Sequence, residues 1–255
     1  MLAKLMLVLD HATLSDRGRV RQNNEDASGV FVPEGAGELA DRGAVFVVAD
    51  GMGGHRGGEI ASRIAVRTVV AFYSANSDEN RSDALARAFR EANKTIIEES
   101  VADSTLFGMG TTCTALAIHR GLAYVAHVGD SRAYHVRDGH IVQVTHDHSI
   151  VGEMVRSGIL TDEDARNHPK RNVITKSLGA QDEIATDLPE ALPLVPGDSF
   201  VLCSDGLTAY ATDADIAAAV TSGSPAEACK KLVKLANDSG GRDNVTVLIV
   251  TVKSV

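Results

Sequence analysis

Val45-Phe46-Val47-Val48-Ala49-Asp50-Gly51 is the stretch on which the fold turns. A continuous apolar run of this length reads as a buried strand. An acid stands at its end, and a glycine follows at once. The pattern recurs along the chain. Leu122 to Val128 is a second strand-like run, leading through Gly129 to Asp130. Phe200-Val201-Leu202-Cys203 leads through Ser204 to Asp205, with Gly206 behind it. Asp243 stands just before the β-branched run Val245 to Val252, with Gly240-Gly241 upstream, and Asp26 precedes the short run Ala27 to Val32.

One Asp-Gly pair is ordinarily a turn. Five acids at the tips of hydrophobic strands are a different matter. Each sits on a rigid support, and neighbouring glycine lets backbone approach a ligand closely. If the tips converge, their mutual repulsion is prohibitive without cations. Carboxylates, backbone carbonyls and water favour hard ions such as magnesium or manganese over zinc, and no Cys/His cluster competes. Two such ions roughly 3.5–4 Å apart can activate a shared water and clamp the oxygens of an in-line displacement at phosphorus. Arg21, five residues before Asp26, is placed to hold phosphoryl oxygens with its planar fork. On its own it would read as a solvated surface charge.

The remaining elements follow from periodicity. Leu5 to Leu9 reads as a first strand, and Thr111 to Ile118 alternates threonine with apolar residues as a half-buried strand does. Asp138-Gly139 separates Arg132–Arg137 from His140–Thr145, a hairpin signal. Helical spacing marks Glu59 to Tyr73, Asp83 to Ser100 and, more briefly, Asp213 to Val220. A last helix opens with Ser224-Pro225-Ala226-Glu227, an N-cap, a proline in the first turn and a capping glutamate. It runs to Ala236 and stops near Gly240-Gly241. Hairpin-linked strands with two long helices in succession predict an α+β layout, antiparallel sheets packed together with helices outside. His146 to Leu178 is polar and irregular, with a short helix at Ser149–Ser157. It reads as an inserted lid.

The 255 residues, 44% apolar, suit one large domain spanning 1–255. No stretch approaches the roughly 18–20 apolar residues that cross a bilayer, and Leu5–Leu9 is too short for a signal-peptide core. A formal charge of −9 with no basic tract suits nucleic acid poorly. Cys113, Cys203 and Cys229 form no CxxC and read as small buried hydrophobes, which points to a reducing, cytoplasmic setting. His146 and His148 flank Asp147 and could suggest a metal pair; hydrogen bonding at the lid's base is preferred. His127 reads as a satisfied core or edge residue.

The motifs Arg21-Gln-Asn-Asn-Glu25-Asp26, Val48-Ala-Asp50-Gly51-Met52-Gly53-Gly54-His55, Gly110-Thr111-Thr112, Val128-Gly129-Asp130-Ser131-Arg132, Ser204-Asp205-Gly206-Leu207 and Gly241-Arg242-Asp243-Asn244-Val245-Thr246 stand in that order. Together with Ile174 to Gly179 they resemble the series of type 2C metal-dependent serine/threonine protein phosphatases, in their compact bacterial form. The likeness covers about Ser15 to Val252. It implies a four-layer α-β-β-α sandwich and a phosphatase of phosphoserine and phosphothreonine using Mn2+ or Mg2+. Asp50 would bridge two metals, with the Gly51 carbonyl on one and Asp205 and Asp243 on the other. Asp26 would support the pair through waters, Asp130 with Asp205 would match a third, weaker position, and Arg21 would bind the substrate phosphate. The lid would be the family's flap.

One departure stands out. Animal members carry a histidine directly after the Asp-Gly, proposed as the general acid; here that residue is Met52. His55 is a candidate for the role, but a metal-bound water is preferred, and the acid stays unassigned. The implied partners are phosphorylated proteins and a cognate Ser/Thr kinase, for a monomeric enzyme that meets neither nucleic acid nor membrane. Two alternatives remain: a catalytically inactive phosphoprotein-binding module, which turnover would separate, and a phosphatase of another phosphoester.

Overall fold

The structure, a computed structural model, describes residues 7–53, 57–75 and 80–255. The chain begins β1 (Val8–Asp16), β2 (Asp26–Phe31), α1 (Ala36–Arg42), β3 (Ala44–Met52), α2 (Gly57–Ala75) and α3 (Arg81–Ala102). Next come β4 (Gly110–Thr111), β5 (Cys113–His119), β6 (Leu122–Val128), β7 (Arg132–Arg137) and β8 (His140–Gln143). The flap carries α4 (Ile150–Arg156) and α5 (Asp162–Asn167). The chain closes with β9 (Leu192–Pro193), β10 (Ser199–Cys203), α6 (Asp205–Thr208), α7 (Asp213–Thr221), α8 (Pro225–Asp238) and β11 (Val245–Ser254).

Two antiparallel sheets stack face to face. One has the order β1-β11-β10-β7-β8, the other β2-β3-β5-β6-β9, with β4 continuing on β3. The apolar run in β3 now has a physical cause. Successive side chains of a strand point to opposite faces. Val45, Val47 and Ala49 pack under α2 and α3, against Ala61, Val69, Phe89 and Ile96. Phe46 and Val48 point the other way, into the layer between the sheets, where they join Phe200, Leu202, Leu248 and Val250. On the far side, Val201, Cys203, Val247 and Ile249 pack against Ile216, Leu232 and Val233 of α7 and α8. A strand covered on both faces must be apolar throughout. The result is the four-layer α-β-β-α sandwich expected from the sequence.

Several boundaries differ from expectation. Of the expected first strand Leu5–Leu9, Leu5 and Met6 lie outside the described residues, and strand β1 is described over Val8–Asp16. It pairs β11 along its whole length, with Asp10 and His11 inside it. Being an edge strand, it alternates exposure and needs no continuous apolar run. The alternating stretch from Thr111 breaks at Thr112 because that residue spends its N–H and hydroxyl on the Asp50 backbone. The helix at Ser224 forms with both halves of its capping box and extends to Asp238. In the flap, Ser149 and Ser157 cap a helix of Ile150–Arg156. α5 was not anticipated, since no residue in it is buried and an apolar periodicity has nothing to mark. Bridges Ser149↔Ile174 and Thr111↔Leu178 fasten the flap at its root. Among the described residues no helix is long and apolar enough to cross a membrane.

Candidate active site

Antiparallel pairing of β2 with β3 sets Asp26 directly opposite Asp50. The Asp50 backbone is fixed from the other side. Its N–H donates to Thr112 Oγ1 at 2.8 Å, and its carbonyl accepts from Thr112 N–H and from Thr111 Oγ1, both at 2.9 Å. Gly51 then threads a gap too narrow for a side chain: a Cβ there would lie 2.1 Å from the Gly58 carbonyl oxygen and 2.7 Å from that of Glu25. Asp26 is buried. Ser204 Oγ donates to its Oδ2 at 2.7 Å, while Oδ1, also buried, has no hydrogen-bond partner.

The other sheet brings the remaining acids. Asp205 opens α6 at the end of β10. Asp243 precedes β11, and its Oδ1 accepts the Asn244 N–H at 2.9 Å. Arg21 donates from one guanidinium nitrogen to Asp243 Oδ2 at 2.7 Å, and its pKa is raised by that bond. Its other guanidinium donors make no hydrogen bond to the protein among the described residues, and the side chain is half exposed. Asn244 ties the rim together, accepting Glu25 N–H and donating to the Arg17 and Asn23 carbonyls.

Asp130 follows Gly129, whose φ of 114° suits glycine. Gly129 is held between two stacked histidines, ring centroids 5.0 Å apart. Its N–H donates to His148 Nδ1 at 3.0 Å, and its carbonyl lies 2.9 Å from His127 Nε2. The proton of His127 therefore sits on Nε2, which faces two carbonyls, those of Gly129 and His146. That of His148 sits on Nε2 and faces Asp187 Oδ2 at 3.0 Å. Burial lowers the His127 pKa to about 4, so the pair is neutral structural support, as expected for His127 and His148. The His146 side chain is exposed.

Charge confirms the clustering. Burial pushes Asp26 up to about 7, with hydrogen bonds from Ser204 and Thr246 opposing and the charges of Asp205 and Asp243 adding. Asp205 is raised to about 6 by burial and by Asp243. Asp50 stands well above the usual carboxylate range through burial and then the repulsion of Asp26, Asp205, Asp130 and Asp243. Asp130 is raised for the same reasons, with Asp205 its leading neighbour. Asp26, Asp50, Asp130 and Asp205 thus resist ionisation in one another's presence. Among the described residues no group of three His, Cys, Asp or Glu side chains is gathered closely enough to hold an ion as it stands. The donor set is all oxygen, and a buried carboxylate oxygen is left open. These residues fit hard divalent cations.

Every acid singled out from the sequence therefore comes to this end of the sandwich, with Arg21 at its edge. His55 lies outside the described residues. Ser204, Thr111, Thr112, Asn244, His127 and His148 hold the acids in place without being signalled as their partners in the sequence. The Ser204 hydroxyl is committed to Asp26.

Comparison with known proteins agrees. A family model described as Protein phosphatase 2C matches residues 18–236. The chain is 37% identical over 241 residues to the serine/threonine phosphatase stp of Listeria innocua, covering 92% of this chain and 93% of that one. The crystal structure of the Mycobacterium tuberculosis serine/threonine phosphatase PstP/Ppp superposes with a TM-score of 0.86 at 36% identity, covering 97% of this chain and all of that one. A structure of the PstP catalytic domain in complex with two manganese ions superposes with a TM-score of 0.84 at 35% identity, covering 96% and 99%.

Proposed function

The chain belongs to the protein phosphatase 2C family and is a serine/threonine protein phosphatase; from that premise we propose that its reaction centre is the acidic end of the sandwich described above. The carrying observation is the buried pair Asp26 and Asp50, opposed across two strands with Asp26 Oδ1 left open. Asp50 and the Gly51 carbonyl would hold one divalent ion, with Asp50, Asp205 and Asp243 holding a second. Asp130 with Asp205 would provide a third position. The manganese in the PstP structure supports Mn2+ as occupant; Mg2+ suits the same oxygen donors. Divalent cations, when bound, supply the positive charge that lets these acids ionise together and make water acidic enough to attack phosphorus near neutral pH.

The chain's own residues do the rest. Arg21 orients the phosphate through its free donors while Asp243 fixes its position. Asp26 Oδ1 accepts a proton from a water it holds in line. The water oxygen bonds to phosphorus, the bond to the serine or threonine oxygen breaks, and that oxygen takes up a proton from solvent, balanced by the one Asp26 then releases, giving inorganic phosphate and a free hydroxyl. No covalent phosphoenzyme is needed. The Ser204 hydroxyl is occupied in holding Asp26. We assign the substrate to phosphorylated proteins of the same cell, written by a Ser/Thr kinase, and the chain to a single monomeric catalytic domain of the cytoplasm. An inactive binding module has no observation in its favour.

The test is hydrolysis of a phosphothreonine peptide with Mn2+, with a chelator, and by Asp50→Asn. Activity should appear only with metal. It should fall by at least about 10³-fold in the variant, a loss of several kcal/mol of transition-state stabilisation. Turnover that survives thorough chelation, or that equals wild type in the variant, overturns the assignment.

A further inference from the structure

A cleft of about 360 Å³ leads away from Asp130 and Asp205 and runs beneath the flap. Its charge is opposite to that of the centre it joins. In a chain of net charge −9, three arginines line it, Arg156 from the end of α4, Arg166 from α5, and Arg171 from the loop beyond. The cleft's other charges are accounted for. Arg132 is bound by Asp147 through bonds of 2.9, 3.1 and 2.7 Å. Asp130 and Asp205 belong to the acidic centre, which leaves Asp162, in the first turn of α5, as the remaining acid on the wall.

None of the three arginines makes an ion pair or a side-chain hydrogen bond among the described residues. Arg156 and Arg171 are exposed and Arg166 is half-buried. Arg166 lies near enough to Asp215 of α7 to depress its pKa, but Asp215 is already bonded to the Thr212 hydroxyl and N–H. Structural arginines in this protein find partners: Arg137 grips Asp198 and Arg132 grips Asp147. Three guanidinium groups around one cleft, each a planar fork suited to phosphate or carboxylate, are left available to an anion from outside the chain.

We propose that this cleft is a second anion subsite, which takes a phosphoryl or carboxylate group on the substrate near the residue being dephosphorylated. The enzyme then prefers segments in which the scissile phosphoresidue is flanked by a second phosphate or by acidic side chains. The proposal deepens the phosphatase reading and rests on it. Opposite signs side by side also orient the substrate. The acidic centre, loaded with cations, takes one phosphate, and the arginines take its neighbour, so the peptide lies along the cleft in one direction.

The experiment uses one phosphothreonine peptide in four versions: neutral flanks, Asp/Glu flanks, a second phosphothreonine nearby, and Lys flanks. Each is assayed with wild type and with Arg156→Ala/Arg166→Ala/Arg171→Ala, alongside p-nitrophenyl phosphate. For wild type, kcat/KM should be about tenfold or more higher with a second anion than with neutral flanks, carried mainly by KM, as one or two charge-assisted contacts provide. The gain should shrink at high salt. In the variant the peptides should become nearly equal, while p-nitrophenyl phosphate is hydrolysed as by wild type. A gain for both anionic peptides, or for either one alone, supports the subsite and identifies which anion it takes. Equal rates for neutral and anionic peptides with wild type, a preference for Lys flanks, or an anion preference unchanged in the variant overturns it. Absence of p-nitrophenyl phosphate hydrolysis by wild type would instead count against the phosphatase centre itself.

Discussion

Replacing Asp26 by asparagine should make the metal-free protein more stable. The carboxyl is buried opposite Asp50 and pushed up to about 7, against about 3.9 in an unfolded chain. At 1.36 kcal/mol per pK unit the difference is worth roughly 4 kcal/mol. Linkage sets the sign. An acid whose pKa is raised by folding is penalised when ionised, so the penalty is absent below about pH 4, grows from there to pH 7, and is complete above it. The neighbouring acids titrate together with Asp26, so a single substitution should recover about 2–4 kcal/mol. Asparagine keeps an oxygen to accept the Ser204 hydroxyl, and no hydrogen bond need be lost. At about 2–4 °C per kcal/mol for a domain of this size, Asp26→Asn should unfold about 4–16 °C above wild type in EDTA at pH 8. The gap should fall below about 1 kcal/mol at pH 4. Thermal unfolding followed by circular dichroism from pH 4 to 8 measures it. A variant less stable than wild type at pH 8, or a gap that ignores pH, would refute the claim that these acids repel one another.

Other substitutions test separate parts. Gly51→Ala should cost more than about 3 kcal/mol, because a Cβ would collide with backbone that cannot move aside; a wild-type melting temperature would contradict this. Arg21→Ala should raise KM for a phosphopeptide by about 10–100-fold, the range for charge-assisted hydrogen bonds, with a smaller change in kcat; an unchanged kcat/KM would remove Arg21 from the site. Asp198, its side chain fully buried, accepts from Arg137 twice and from the Val195 N–H, and its Oδ1 lies 3.1 Å from His135 Nε2. Burial pushes its pKa up, but those donors outweigh it and hold the carboxyl below the usual range. Its contribution is thus present above about pH 4 and lost as pH falls further. Asp198→Ala should cost about 3 kcal/mol at pH 7, and a melting temperature within 2 °C of wild type, on the scale of about 2–4 °C per kcal/mol, would show the network to be dispensable.

The acids were legible in the sequence because each stands at one end or the other of an apolar run, and those runs are apolar for a reason the fold makes plain: β3 and β10 are buried on both faces. Helix α8 was legible to its first residue, since a capping box is a local device. What holds the acids was not. Ser204 reaches Asp26 across 178 positions and Arg21 reaches Asp243 across 222, and no local pattern encodes such pairs. Threonine and asparagine beside the acids look the same whether they clamp a backbone or face water. Of β1 only the start, Val8-Leu9, was legible, because an edge strand half exposed along its length carries no continuous apolar run. The flap hid α5 because that helix buries nothing.

The central claim is that the ends of two sheets bring Asp26, Asp50, Asp130, Asp205 and Asp243 together to hold divalent cations. Anomalous diffraction at the manganese edge from crystals grown with Mn2+ tests it most directly. Two strong peaks flanking Asp50, one also beside Asp205 and Asp243, are the predicted result. Manganese bound elsewhere on the chain, with no peak at Asp50, would contradict it.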